Sequence, residues 1–454
     1  MVCGCENTRL AHKSVRNSRF LLKWIHSESY AYIGMQTAYL ATYFNPIYWY
    51  CACLRVMSGL GEDDNVSYDK VAKAIGEVRE HGVSVSSIDI NKSGYFFEPD
   101  EEANTILYGM KGMNGVGGEI VTQIVSNRPY ADPQDFIDKT NVNKTVMLSL
   151  IKAGAFDSMM DRMACMRWYM TICSEPKSRL TMANLNALFE KGLVPDEFSF
   201  ERRVFNYNRG LKKTRKSHDH AGYYDLEGRY YDFYANNFDV DELETNGQVL
   251  LEAKKWDKMY AKAIAPIKKW LTENQEEVLE QFNDTLFQEQ WDKYATGNIS
   301  SWEMTSLGFY AHRHELDGIS KTKYGLSDFH CLPQQAQWPI SQVQRICGTV
   351  IAKSDLKSTV TILTPHSGVV DVKFNRDLYA YYNRRISEVM PDGSKRVVEE
   401  GWFSKGMTVI MCGYRRGNMF VAKRFRGSEV MYRLDVDENY NIVNVIGKRA
   451  GDNE

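Results

Sequence analysis

The residues best suited to chemistry in this chain are glycines that precede a helix. In NGVGGEIVTQIV, residues 114–125, Gly115, Gly117 and Gly118 stand directly before Ile120, Val121, Ile124 and Val125, an apolar set at helical spacing. A glycine lets another backbone approach closely, and the bare amides and positive dipole end of a helix start suit an anion. Such a turn grips phosphate without reading bases. Lys111, Asn114, Gly115, Val116, Gly117 and Gly118 are the candidates for that grip. A weaker copy follows in FIDKTNVNKTVMLSLIKAGAFDSM, where Asn143 and Lys144 precede an apolar helix that Gly154 closes. Read together, the two units form a tandem helix-hairpin-helix module. A plain helical hairpin without a ligand has the same spacing, and both readings stand on glycine spacing alone.

A second chemistry is basic charge interleaved with aromatic rings. From Ile340 the pattern changes to alternation, with β-branched residues in RICGTVIAKSDLKSTVTILTPHSGVVDVKF. GMTVIMCGYRRGNMFVAKRF supplies two more strands around Arg416, Gly417 and Asn418, and LYAYYNRRISEVM reads as an intervening helix. Five short strands suggest an OB-fold barrel. Residues 341–430 hold fifteen Lys and Arg against eight Asp and Glu, inside a chain whose net charge is −2. Basic grooves with exposed rings bind single strands. Arg415, Arg416, Phe420, Lys423 and Arg426, with Phe425, are the candidates, and alternation along a strand should turn about half of the two aromatics inward. Residues 201–220 carry seven Lys and Arg against two acids, which suits a nucleic-acid strand or a solvated loop equally.

Metal and redox chemistry find little support. The nine cysteines are scattered, with C-x-C rather than C-x-x-C pairs, and read as reduced thiols in a cytoplasmic protein. His312 and His314 lack a third ligand at helical spacing. The acidic groups Glu62/Asp63/Asp64, Asp239/Asp241/Glu242 and Asp435/Asp437/Glu438 lie in loop-like contexts. Asp89 has no second carboxylate nearby. No apolar run reaches the length of a membrane span, so no membrane partner is expected. With 454 residues, 43% hydrophobic and 25% charged, two to four globular domains are expected.

The elements around these residues resemble a known family. HSESYAYIGMQTAYLATYFNP is similar to the fingers segment of the DNA polymerase III alpha subunit, the family C replicative polymerases, with His26, Tyr30 and Gln36 on its motif positions. REHGVSVSSIDINKSG, the Gly115-Val116-Gly117 hairpin, LIKAGAFDSM and LGFYAHRHEL match further family motifs in the family's order, across roughly residues 20–430. The chain departs from the pattern at Lys23, Trp24 and Ile25, where the family has Asn-Lys-Ser. The family's palm, with its P-D-x-D-x-D carboxylates, should precede residue 20 and is not in this sequence.

The resemblance implies an α+β multidomain chain: a mostly helical N-terminal part with the tandem helix-hairpin-helix module, then the five-stranded OB-fold barrel. Residues 1–100 would end the fingers, and 101–160 would be the DNA-binding module. Residues 161–339 would connect, 340–430 form the barrel, and 431–454 a tail. NDTLF, with Asn283, Leu286 and Phe287, lies where the family carries a sliding-clamp-binding peptide, but sits inside an amphipathic helical pattern that reads as core or partner-facing. The implied function is the C-terminal part of a DNA-directed DNA polymerase, binding primer-template duplex and single-stranded template. A separate palm-bearing chain would supply the active site. Mg²⁺ belongs to that assembled enzyme, and this chain alone, binding no cofactor, is expected to be inactive. The alternative is a stand-alone, non-catalytic DNA-binding or scaffold protein derived from such a polymerase.

Overall fold

The computed structural model describes residues 24–59, 68–113, 115–214, 222–240, 243–245, 249–335, 343–366, 368–390 and 393–450. The chain divides into two compact units, one built from residues up to 165 together with 297 onward, the other from 166–296.

In the first unit, helix α1 (Trp24–Tyr43) is followed by α2 (Pro46–Met57). Asn45 caps α2 by accepting from the Ile47 amide at 3.0 Å, and Pro46 takes the first helical position, where its missing N–H costs nothing. Helix α3 (Tyr68–Glu80) buries Val71, Ala72, Ile75 and Val78 on one side, as the helical period requires. Three short strands follow, 84–85, 98–100 and 105–107, and then α4 (Gly118–Ser126), α5 (Pro133–Lys139) and α6 (Lys144–Ala153). Asp89 accepts from the amides of Asn91 and Lys92, so it shapes its own turn. Asn91 in turn clasps the Tyr130 backbone from both sides, at 2.9 Å each.

The second unit begins within helix α7 (Arg162–Ser174), which starts in the first. It contains α8 (Ser199–Leu211), α9 (Arg229–Asn237), α10 (Ala253–Ala263), α11 (Ala265–Glu273) and the 20-residue α12 (Gln275–Tyr294), with a small three-stranded sheet. Its core gathers Tyr207, Tyr224, Tyr234, Leu251, Trp256 and Phe282. The aromatic-dense stretch 222–238 thus works largely as core.

Back in the first unit, α13 (Ile299–Ser306) leads to the barrel. Its strands are β1 (Gln344–Ser354), β2 (Thr359–Leu363) and β3 (Val369–Lys373). Helix α14 (Arg376–Asn383) follows, then a hairpin of β4 (Ile386–Val389) and β5 (Lys395–Glu399), then β6 (Thr408–Arg416) and β7 (Met419–Ala422). β1–β2–β3 and β1–β6–β7 pair antiparallel, and β7 closes on β3 in parallel register, with Phe420 opposite Val372. This is the closed five-stranded mixed barrel expected from the alternating pattern. Two expectations give way. The helix over LYAYYNRRISEVM stops at Asn383, and the rest enters the β4–β5 hairpin. The segment after 430 is no tail: β8 (Met431–Val436) pairs with β6, and β9 (Ile442–Ile446) with β8.

Candidate nucleic-acid interface

The first hairpin is tighter than its sequence suggests. Among the described residues no α-helix stands directly before it; a single 3₁₀ turn at Met110–Gly112 does. Gly115 then takes φ +82°, a conformation that a side chain disfavours. A Cβ built on it would lie 3.7 Å from Ser149 Oγ on α6, so the first turn rests on the second hairpin's helix. Gly117 differs. It is the N-cap of α4 with ordinary extended backbone (φ −81°, ψ 161°), it is exposed, and a Cβ there would meet nothing within 4 Å. The protein's own packing and backbone therefore do not demand a glycine at 117. No side chain caps α4, and among the described residues the amides of Gly117, Gly118 and Glu119 find no acceptor. An anion brought to this helix start meets N–H groups that no described residue accepts from, at the positive dipole end and beside the Tyr95 ring that lies against Gly118. Glu119 in the first turn is the one group there that repels it.

The second hairpin is capped from within. The exposed Asn143 accepts from the Val146 amide at 3.0 Å, and Lys144, half-buried, starts α6. α6 ends on Gly154 at φ +82°, where a Cβ would stand 2.1 Å from Arg162 Nη2. That guanidinium pairs with Asp157 and with Glu303 on α13, and Glu303 in turn accepts from the Ala311 and His312 amides and contacts His312 Nδ1 at 2.5 Å. Burial alone would raise the Glu303 carboxyl, but His312 and Arg162 outweigh it and hold the pKa below the ordinary value. The same bond raises the His312 imidazole. This network went unread because its members lie far apart in sequence.

Several predicted contacts are placed elsewhere by the fold. Lys111 is buried, donates to the Gly59 carbonyl at 3.1 Å and sits over the Tyr95 and Phe96 rings, so it does not face a phosphate. Val116 is buried as the hairpin's apolar anchor. Asn114 lies outside the described residues. In the barrel, Arg415 and Phe420 are directly paired across β6 and β7, hence share a face, and that face is the core. Arg415 spends its donors on the carbonyls of Phe329, His330, Leu332 and Gly417 and stacks on Phe329. Arg416 and Arg426 are exposed, and Lys423 and Phe425 half-exposed. Arg424, missed although it sits in the same KRFR run, joins Phe425 and Arg426 around a cleft of about 480 Å³ and pairs with Glu429 at 2.9 Å.

The fingers motif lies on α1, where Tyr30 and Gln36 are exposed; the side chain of His26 is not described. NDTLF is the interior of α12. Asn283 bonds the Lys177 backbone in both directions, Leu286 packs on the core and Phe287 stacks on Trp291, so the fold presents no free peptide there. His312 and His314 do not converge on a metal, since His314 bonds the Leu363 carbonyl and the Leu316 amide. Of the acidic groups, 62–64, 241 and 242 are outside the described residues. Asp435 pairs with Arg433, and Asp437 accepts from the Asn439 and Asn441 amides. Among the described residues no three His, Cys, Asp or Glu gather as a metal site. Two-metal phosphoryl transfer needs clustered carboxylates, and the described ones do not fit that need. Nor is any described helix long and apolar enough to cross a membrane.

The described residues of the first unit thus join the paired hairpins to a closed mixed barrel. Residues 82–165 match a family described as a helix-hairpin-helix motif. The chain is 37% identical over 460 residues to a probable DNA polymerase, YorL, of Bacillus subtilis (strain 168), and equally to the DNA-directed DNA polymerase of Bacillus phage SPbeta; each match covers 94% of this chain and 35% of the relative. It is 32% identical over 185 residues to the DNA polymerase III subunit alpha of Chlamydia muridarum, covering 39% of this chain and 12% of that one. The chain is thus homologous to the DNA polymerases its motifs resemble, and it spans about a third of the length of the Bacillus and phage relatives.

Proposed function

We propose that this chain is the DNA-binding portion of a replicative DNA-directed DNA polymerase. The paired hairpins hold the duplex backbone, through the Gly117–Glu119 amides and the Asn143–Lys144 turn. The barrel's loop from Lys423 to Arg426 holds single-stranded template by charge and by the Phe425 ring. The Mg²⁺-binding carboxylates come from a palm-bearing chain seated against residues 24–57. The observation that carries the DNA reading is Gly117: a residue that needs no glycine for its own backbone or packing, at a helix start whose amides find no acceptor among the described residues. What supports the partner is α1, whose Tyr30, Tyr32, Ile33, Met35, Tyr39 and Leu40 are all more than half exposed. Large exposed apolar surface marks an interface. A stand-alone binding protein has no use for it.

The test is fluorescence anisotropy with a labelled duplex, comparing the full chain with Gly117→Val. The reading expects at least a tenfold loss of affinity with the circular dichroism spectrum unchanged. Equal affinity would remove the hairpin from the interface. Primer extension, run with and without a co-expressed palm-bearing polymerase chain, separates the polymerase reading from the scaffold.

A further inference from the structure

Helices α10 and α11 carry a charge pattern that the hairpins and barrel leave unused. Residues 253–272 contain six lysines and one aspartate. Lys254, Lys255, Lys258, Lys262, Lys268 and Lys269 are all exposed. Lys254, Lys258 and Lys262 repeat every fourth residue and so form one stripe along α10, about 6 Å apart. Among the described residues, only Lys255 and Lys269 of the six have carboxylates near, at 3.8 and 3.7 Å. In the same unit α12 carries six acids and one lysine. Ordinary soluble surfaces intersperse the two signs. Here they are sorted onto separate helices, at the cost of like-charge repulsion along each.

We infer that this lysine stripe is a further DNA contact, one that takes the phosphate backbone and reads no bases. Three observations choose DNA over other acidic surfaces. The apolar residues of these helices, Trp256, Ile264, Ile267 and Leu271, are buried in the unit's core, leaving no apolar face to enter a lipid headgroup layer. Among the described residues of 253–272 no large hydrophobic side chain is exposed, and protein interfaces are anchored by aromatics and depleted in lysine. A row of like point charges at regular intervals does match a polyanion with one charge per 1.7 Å of duplex axis. The inference stands apart from the hairpin reading, because the two surfaces share no residue.

The experiment uses the full chain and its Lys254→Gln/Lys258→Gln/Lys262→Gln variant. Affinity for a labelled duplex, and for a single strand of equal length, is measured from about 50 to 200 mM salt. For the duplex, the slope of log affinity against log salt should shrink by about 2 to 3, near 0.9 per lost contact, with affinity at 0.1 M salt reduced by at least roughly tenfold. A loss confined to the single strand keeps the phosphate contact and assigns it to that strand. Slopes unchanged on both DNAs overturn the inference while leaving the hairpin reading intact. So does a variant that keeps its DNA slopes but loses binding to phosphatidylserine vesicles. Circular dichroism checks that the exposed substitutions leave the fold in place.

Discussion

Arg162 Nη1 lies 2.9 Å from Glu303 Oε1, with 3% and 0% of the two side chains exposed, and so joins the end of the hairpin module to the helix that leads into the barrel. Both charges are out of water, and each depends on the other and on Asp157 and His312 for compensation. Such a pair contributes little over a well-packed apolar pair, yet removing one member leaves an uncompensated buried charge. Glu303→Ala should therefore lower the stability of the first unit by about 3–5 kcal/mol. Chemical denaturation followed by far-UV circular dichroism would measure it. A loss within experimental error would show that solvent reaches the site.

The same network predicts a pH response. The His312 pKa is raised by its bond to Glu303, so its contribution is complete below the ordinary imidazole value and fades as pH climbs through the raised folded value. The Glu303 pKa is lowered, so its contribution is present above the ordinary carboxylate value and fades as pH falls through the depressed one. Stability from the network should peak between these limits. Denaturation midpoints between about pH 6 and 8 should decline for the native chain and decline less for His312→Asn.

Two hairpin glycines should respond differently to the same substitution. Gly154→Ala meets both φ +82° and the Arg162 guanidinium, and should cost at least about 1–2 kcal/mol of stability. Gly117→Ala meets neither, and should cost no more than the roughly 1 kcal/mol of a poorer N-cap while weakening duplex binding. Removing the nearby repulsion with Glu119→Gln should strengthen duplex binding. Melting curves and anisotropy on the three variants decide between an anion site and a plain helical hairpin.

The barrel offers a second contrast. Phe420 is fully buried among strand residues, so Phe420→Ala should destabilise by about 3–5 kcal/mol. Phe425, half-exposed beside Arg424 and Arg426, should cost little stability as Phe425→Ala. That variant should instead lose about 1–3 kcal/mol of single-strand binding, the usual worth of one stacked base. A single-strand affinity unchanged in Phe425→Ala would leave the loop without a stacking role.

What the sequence reveals depends on the range of the forces involved. The glycine turns, the Asn143 cap, Pro46 and the β alternation are local, and each lies where its neighbours dictate. The failures are those of partnership. Arg415 looks like any strand arginine until its register opposite Phe420 turns it inward. Lys111 belongs to a GMKG turn whose tightness buries it against Tyr95 and Phe96. Arg162 and Glu303 are separated by 141 positions, and no spacing rule connects them. Strand β8 was lost because only its pairing with β6 marks it as barrel-attached.

The last prediction concerns α1. A helix apolar on one stripe packs on a core, and a helix apolar all round belongs inside one. The twenty residues of α1 bear aromatic or aliphatic side chains on every side, and Glu28 is their only acid or base besides His26. Yet Tyr30, Tyr32, Ile33, Met35, Tyr39, Leu40 and Tyr43 are exposed by half or more in this chain. Among the described residues nothing covers these side chains, and exposed apolar surface of this extent marks an interface. The palm-bearing chain proposed above should provide that surface. Ile33 and Leu40 are both more than half exposed, so the Ile33→Glu/Leu40→Glu variant should fold, bind duplex and keep its melting temperature. It should nevertheless lose co-purification with the palm-bearing chain and, with it, primer extension by the pair. Undiminished co-purification would place the contact elsewhere, and primer extension by this chain alone would overturn the division of labour.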